Sequence, residues 1–258
     1  MAHRRAVRTI LSRRHMPTLA QFAASNVLVA FDFDGTLAPI APTPAAARMR
    51  PLTRRLLTRV ALSYPCVVIS GRPLADLTRR LRNLPVWHVV GDHGSDTWDT
   101  IDAPAAHVRE WVAELRTRLP HRTGLVIEPK RQTVTVHYRH VRDKRRVLAA
   151  LADAVSHLRN ARSIQGAEAI NLLPRNGANK GIALEQARQV FACDTAIYVG
   201  DDDTDEDAFA SAGPDRLLSI RIGPVRTSLA AYRLRAQADI DRLLTALIDL
   251  RADDPPQL

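Results

Sequence analysis

Asp32-Phe33-Asp34-Gly35-Thr36 closes the apolar run of residues 27–33. If the chain stays extended through Phe33, the two carboxylates leave the strand end on the same side, and Gly35 lets the backbone turn sharply after them. Such a pair can hold a hard cation through oxygen ligands. One member can also attack phosphorus while the other handles protons. The plainer alternative is a strand that ends in an acidic turn. A second acidic segment, Gly200-Asp201-Asp202-Asp203-Thr204-Asp205-Glu206-Asp207, follows another apolar run. Its aspartates repel one another, so they must be solvated, cap a helix or be neutralised by a cation. Asp203 or Thr204 can cap the helix that starts there, and Asp205 to Asp207 suit its positive end. That leaves Asp201 and Asp202, ahead of the helix. With Asp32 and Asp34 they make an oxygen-rich site suited to Mg²⁺.

Two weaker signals are cationic or hydroxylic. Ile69-Ser70-Gly71-Arg72 follows an apolar run, where a hydroxyl and free backbone N–H groups make an anion cradle. Asn179-Lys180-Gly181 carries one of only three lysines in the chain, at the start of a predicted helix. A lysine neutralises phosphate as a point charge; taken alone it is equally a surface lysine.

The elements that must position these residues follow from hydrophobic pattern. Residues 27–33, 66–70, 86–90 and 196–200 are short apolar runs without polar alternation, the form of strands buried on both faces of a parallel sheet. Helical patterns at 45–62, 73–82 and 179–191 lie between them, a βαβ rhythm that predicts an open α/β sheet. The middle differs. A helix at 105–119 precedes LVIE (125–128) and TVTVHYR (133–139), which alternate as a hairpin of a half-exposed antiparallel sheet. A helix near 142–159 and short strands near 162–166 and 168–173 complete an α+β insertion. The expected organisation is a basic N-terminal extension (1–25), frayed or loosely docked; a Rossmann-like core with helices on both faces, in two parts (26–103 and 177–250); a smaller inserted α+β cap (104–176); and a disordered tail (251–258).

In chain order (32–36, 69–72, 179–181 and 200–207), each at a strand end or helix start, the four motifs resemble the haloacid dehalogenase superfamily. Further segments are similar to the trehalose-6-phosphate phosphatase family: Gly91-Asp92-His93-Gly94; Glu128-Pro129-Lys130 with Val136-His137-Tyr138-Arg139; Pro174; and the acidic run ending near Phe209. The resemblance spans about residues 27–225. It implies a haloacid dehalogenase core and hydrolysis of trehalose 6-phosphate through an aspartyl-phosphate on Asp32, with Asp34 as acid and base. Mg²⁺ would be held by Asp32, the Asp34 carbonyl and Asp201, supported by Asp202 or Asp205. Ser70 and Lys180 would stabilise the phosphoryl group. Candidate substrate contacts are Ser70, Gly71, Arg72, His93, Lys130 and Asn171, although His93 could only brace its loop and Lys130 could be a hairpin-tip charge. Arg139 and its basic neighbours are expected on a solvated face of the cap. The chain departs from the family at Asn171 and Asp96, where family members often carry glutamate. Spacing places the cap: 37 residues separate Asp32 from Ser70, room for one helix and one strand, whereas 109 separate Ser70 from Lys180. A cap in the second gap resembles the sugar phosphatases.

Composition bounds the alternatives. A hydrophobic content of 46% against 25% charged excludes a disordered or fibrous chain. No apolar run reaches the roughly 18 residues needed to span a bilayer. Cys66 and Cys193 read as buried free thiols, which suits a reducing cytoplasm. The net charge of +10 invites a nucleic-acid reading, but the arginines are spread along the chain and no nucleic-acid motif accompanies them. The expected partner is a small sugar phosphate, with no specific nucleic acid and no membrane, and the chain is expected as a monomer or weak oligomer. Another glycosyl phosphate as substrate, or a catalytically silent binding protein, are the alternatives.

Overall fold

The computed structural model of the chain describes residues 8–95, 105–119, 124–130, 132–166, 168–175, 177–224 and 227–253. Asp96, the core–cap boundary near 103, residues 254–258 of the tail and the arginines at 4 and 5 lie outside them.

The described strands form two sheets. The larger holds β1 (Arg8–Thr9), β2 (Val27–Phe31), β3 (Cys66–Ile69), β4 (His88–Val90), β9 (Thr195–Gly200), β10 (Leu217–Ile222) and β11 (Tyr232–Leu234), all parallel, in the order β1-β11-β10-β9-β2-β3-β4. The smaller is antiparallel: β5 (Val126–Pro129), β6 (Val134–His137), β7 (Ala161–Gly166) and β8 (Ala169–Pro174), ordered β5-β6-β8-β7.

The core strands lack polar alternation because both faces of their sheet are covered. Val27, Val29 and Phe31 enter one core, with α1 (Met16–Ala24), α2 (Pro51–Ser63), α3 (Leu74–Arg80) and α8 (Ile240–Asp253). Leu28 and Ala30 enter the other, with α6 (Lys180–Val190) and α7 (Glu206–Phe209). Each fully buried side chain of this kind contributes roughly 1.5–3 kcal/mol. In the insertion, Val134, Val136, Ile170 and Leu172 pack against α4 (Ala106–Arg118) and α5 (Lys144–Ser156). The alternate residues Thr135, His137, Ala169 and Asn171 point the other way, toward the core.

Strand order decides where a site can form. β2 lies between β9 and β3, so the chain leaves β2 in one direction for β3 and β4 and returns on the other side through β9 and β10. Ligands of open α/β sheets bind outside the carboxyl ends of the strands at such a switch point. Asp32, Ser70 and Asp201 each follow one of these three adjacent strands.

Two expectations are corrected. Residues 8–24 are not loosely docked: β1 pairs with β11, and Ile10, Leu19, Phe22 and Ala23 are buried in the first core. The apolar face of α1, opened by Pro17 in its first turn, holds this segment, while Arg8, Arg13 and Arg14 stay exposed. The helix expected from residue 45 starts at Pro51, since residues preceding Pro42, Pro44 and Pro51 avoid helical backbone. The stretch before it forms one 3-10 turn, Pro44–Ala46, beside the site. Cys66 and Cys193 are buried free thiols, and burial pushes the Cys66 thiol up to about 12.

Candidate active site

A cavity of about 1050 Å³ opens between the carboxyl ends of the core strands and the inner face of the antiparallel sheet. That is room for a ligand considerably larger than phosphate. Asp32, Ser70, Lys180 and Asp201 line its floor; Lys130 and Asn171 line its roof.

Lys180 organises the floor. It is the first residue of α6, where the helix dipole disfavours a cation, and it is almost fully buried. Two acids hold it there: Nζ donates to Asp32 at 2.8 Å and to Asp205 at 2.7 Å. Burial works against its charge, yet Asp205 and Asp32 hold its pKa well above the usual lysine value. Asn179 caps the helix by accepting from the Ile182 N–H at 2.9 Å.

The acidic run is sorted by internal cations. Asp205 is paired with Lys180, Asp207 with Arg162 of β7, and Asp203 and Glu206 with Arg221 of β10. Among the described residues Asp201 and Asp202 have no ion pair. Asp201 accepts from the Thr36 hydroxyl at 3.1 Å, and Asp202 caps the following turn by accepting from Thr204 N–H at 2.7 Å. Burial raises both carboxyls above their ordinary range, Asp201 the more, with neighbouring acids adding to the effect. Asp32 is raised in the same way, with Lys180 opposing. Crowded acids that the protein leaves uncompensated fit a divalent cation. Oxygens of Asp32, Asp201 and Asp205 lie within 4.8 Å of one another.

Of these three, Asp205 is the poorest ligand. Its Oδ1 accepts from Lys180 and from Tyr198 Oη at 2.7 Å; its Oδ2 accepts from the N–H groups of Asp201 and Asp202 at 2.9 and 3.0 Å. Four bonds use the acceptor capacity of one carboxylate. Asp205 therefore braces the loop, and Asp32 and Asp201, with Asp202 beside them, are the acids with acceptor capacity to spare. Gly35 is required for this approach. Its φ is +81°, and a Cβ there would stand 2.0 Å from Asp201 Oδ2.

The raised carboxyls predict a stability trade. A folded-state pKa above the unfolded value means that the folded protein binds more protons in that window, so stability falls as pH rises through it. Without cation at pH 8, Asp201→Asn is expected to melt above the wild type, by roughly 2–4 °C per kcal/mol relieved. The advantage should shrink toward the unfolded carboxyl value near pH 4, and cation should raise only the wild type. Calorimetry with and without chelator tests this; equal melting temperatures at pH 8 would show that Asp201 is not strained.

The expected substrate contacts fall into two groups. Ser70 is buried at the end of β3, and Gly71 follows it, where a Cβ would meet the His93 ring at 2.3 Å. His93 has a left-handed backbone (φ +58°), steadied by Asp92, whose carboxylate accepts from Gln132 N–H at 2.9 Å and from the Thr133 hydroxyl. Among the described residues neither buried His93 ring nitrogen has a hydrogen-bond partner of normal geometry. Burial, then the charges of Lys130, Lys180 and Arg162, keep the imidazole well below its usual pKa, with Asn171 opposing. Lys130 crosses from the cap to donate to the Gly71 carbonyl at 2.6 Å, and Asn171 accepts from Thr135 at 2.9 Å.

Arg72 is placed differently from expectation. Its guanidinium grips Asp34 with two 2.6 Å bonds and also donates to Asp76 and to the Pro44 carbonyl, so in this structure it is a partner of Asp34 at the cavity wall. Arg139 is not on a solvated face: it pairs with Glu168 at 3.1 Å and reaches the Ala41 carbonyl across the cavity. Thr36, Glu128 and His137 stand in quoted motifs but were given no role by the sequence, and Thr135 and Tyr198 were not singled out at all. The register that aligns Glu128, Thr135 and Asn171 in one row, with His137 bonded to Glu128 at 2.7 Å, was the available signal for the cap residues.

Known proteins resemble this arrangement. The Trehalose-phosphatase family model matches residues 30–237. Trehalose-phosphate phosphatase of Mycobacterium tuberculosis is 38% identical over 206 residues, covering 74% of this chain and 52% of that protein. The Mycolicibacterium paratuberculosis protein of the same name is 36% identical over 243 residues, covering 88% and 59%. The chain thus spans little more than half the length of these relatives. Among solved structures, the C-terminal domain of C. albicans trehalose-6-phosphate phosphatase superposes with a TM-score of 0.78 at 21% identity, covering 95% of this chain and 99% of that one. The C-terminal domain of the Candida albicans trehalose synthase regulatory protein gives 0.70 at 13%, covering 95% and 100%. At such identities the structures establish a shared fold, a parallel-sheet core with an antiparallel cap. The family model, which runs from β2 past the acidic loop to residue 237, goes further: this chain belongs to the trehalose-phosphatase family.

Proposed function

We propose that the chain hydrolyses trehalose 6-phosphate to trehalose and phosphate, with Mg²⁺, through an aspartyl-phosphate on Asp32. The observation that carries the reading is the convergence of Asp32 and Asp201, at the ends of adjacent strands, with Lys180 at the start of α6, beneath a cavity roomy enough for a disaccharide. In this reading residues 26–103 and 177–250 are the catalytic core and 104–176 the cap that excludes water and selects the sugar. A reducing cytoplasm suits the two buried thiols; among the described residues no helix is long and apolar enough to cross a membrane.

An Asp32 oxygen attacks phosphorus and the bond to the sugar oxygen breaks. Asp34 protonates that oxygen, then takes a proton from the water that attacks phosphorus and releases phosphate and free Asp32. For this, Asp34 exchanges Arg72 for the leaving oxygen; Arg72 keeps Asp76 and the Pro44 carbonyl, so the exchange does not strand a buried guanidinium. Lys180 and Ser70 stabilise the phosphoryl oxygens. Asp32, the Asp34 carbonyl and Asp201 would hold Mg²⁺, with Asp202 in support; bound there, it supplies further cancellation of phosphoryl charge. His93, Lys130 and Asn171 contact the sugar.

Asn171 favours a second reading, another glycosyl phosphate, because a neutral amide stands where family members often carry glutamate. A panel of sugar phosphates compared by kcat/KM decides. Trehalose 6-phosphate is expected to lead, with all activity lost to chelator and restored by Mg²⁺. A tenfold preference for a different sugar phosphate would move the substrate assignment and leave the mechanism standing.

A further inference from the structure

Arg221 lies on β10, in register with Gly200, the residue before Asp201. Its side chain is buried behind the acidic loop and does not line the cavity. One guanidinium nitrogen, Nη1, donates to the Asp202 carbonyl at 3.1 Å and to Glu206 at 2.5 Å; Nη2 donates to Asp203 at 3.2 Å. Glu206 in turn accepts from the Ser228 hydroxyl and the Leu229 N–H, each at 2.7 Å, which ties the loop to the chain after β10. A loop with this many like charges would open by its own repulsion. Arg221 is the cation that meets it from behind, while Asp205 fixes the N–H groups of Asp201 and Asp202 from the front.

We propose that Arg221 is a positioning residue for the divalent-cation site, clamping the Asp202 carbonyl, Asp203 and Glu206 so that the Asp201 and Asp202 carboxylates face Asp32. The inference rests on the functional reading above only in requiring a cation there. Arginine suits the role because its planar fork serves three acceptors at once, whereas a lysine offers a compact charge on a flexible stem. Residues that hold metal ligands from behind change metal affinity by roughly 10–100-fold when replaced. Arg221→Lys is expected to weaken cation binding by about tenfold, Arg221→Ala by more, and Glu206→Gln by less.

The test titrates the substrate-free protein with Mn²⁺, followed by electron paramagnetic resonance, alongside the Mg²⁺ dependence of phosphate release. Weakened Mn²⁺ binding with kcat recovered at saturating Mg²⁺ and KM for the sugar phosphate unchanged supports the assignment. Wild-type Mn²⁺ affinity in the lysine and glutamine variants overturns it, as does a kcat loss that saturating Mg²⁺ does not restore. If Arg221→Ala does not fold by circular dichroism, the other two variants decide. A wild type that binds no Mn²⁺ would instead bring down the reading of the site itself.

Discussion

Asp32→Asn is expected to lower phosphate release by on the order of 10⁴-fold or more, since it replaces the carboxylate that forms the covalent bond with an amide, a far poorer nucleophile. The substitution is nearly isosteric, and the new carbonyl can still accept from Lys180. The fold should therefore persist, with a melting temperature equal to or above that of the wild type, because burial disfavours the charge that is removed. Rapid acid quench with ³²P-labelled substrate is expected to trap phosphoprotein in the wild type and none in the variant. Multiple-turnover release by Asp32→Asn at a tenth of the wild-type rate would end the covalent mechanism.

Lys180→Met should reduce kcat by roughly 10²–10³-fold, the range seen when a preorganised charge-stabilising donor is lost. It should also destabilise the protein, by about 3–5 kcal/mol at neutral pH, because Asp32 and Asp205 lose their buried cation. The pH dependence identifies the cause. Lys180 has its folded pKa raised, so its contribution is complete below the unfolded lysine value and is lost only at strongly alkaline pH. The pH-dependent part of the destabilisation in the variant belongs to Asp32, which burial raises and Lys180 no longer opposes, and it should diminish as pH falls toward the unfolded carboxyl value near 4. Steady-state kinetics and denaturant melts at pH 5 and 8 measure both effects. A kcat within threefold of wild type would remove Lys180 from the phosphoryl site.

Legibility in the sequence followed contact distance. Asp32, Ser70 and Asp201 could be found because each ends an apolar run, and strand ends are where open sheets act. Thr36 could not be tied to Asp201, nor Arg221 to Glu206 or Arg162 to Asp207, because nothing local specifies a partner 165, 15 or 45 residues away. The grip of Arg72 on Asp34 was hidden for the same reason, since 38 residues separate the two. The arginine count of the first residues hid the apolar stripe of α1, and the prolines ahead of α2 were overlooked in favour of its periodicity.

The chain by itself determined the chemistry available: which acids sit at the tips of buried parallel strands, which amine starts a helix, and that the cap falls between Ser70 and Lys180. These follow from residue type and period, which are local properties. Only the tertiary structure decided which acid is neutralised by which cation, and so which ones remain for a metal. That assignment depends on strand order and sheet register, since β9 beside β2 and β10 beside β9 bring charges together that the sequence keeps apart.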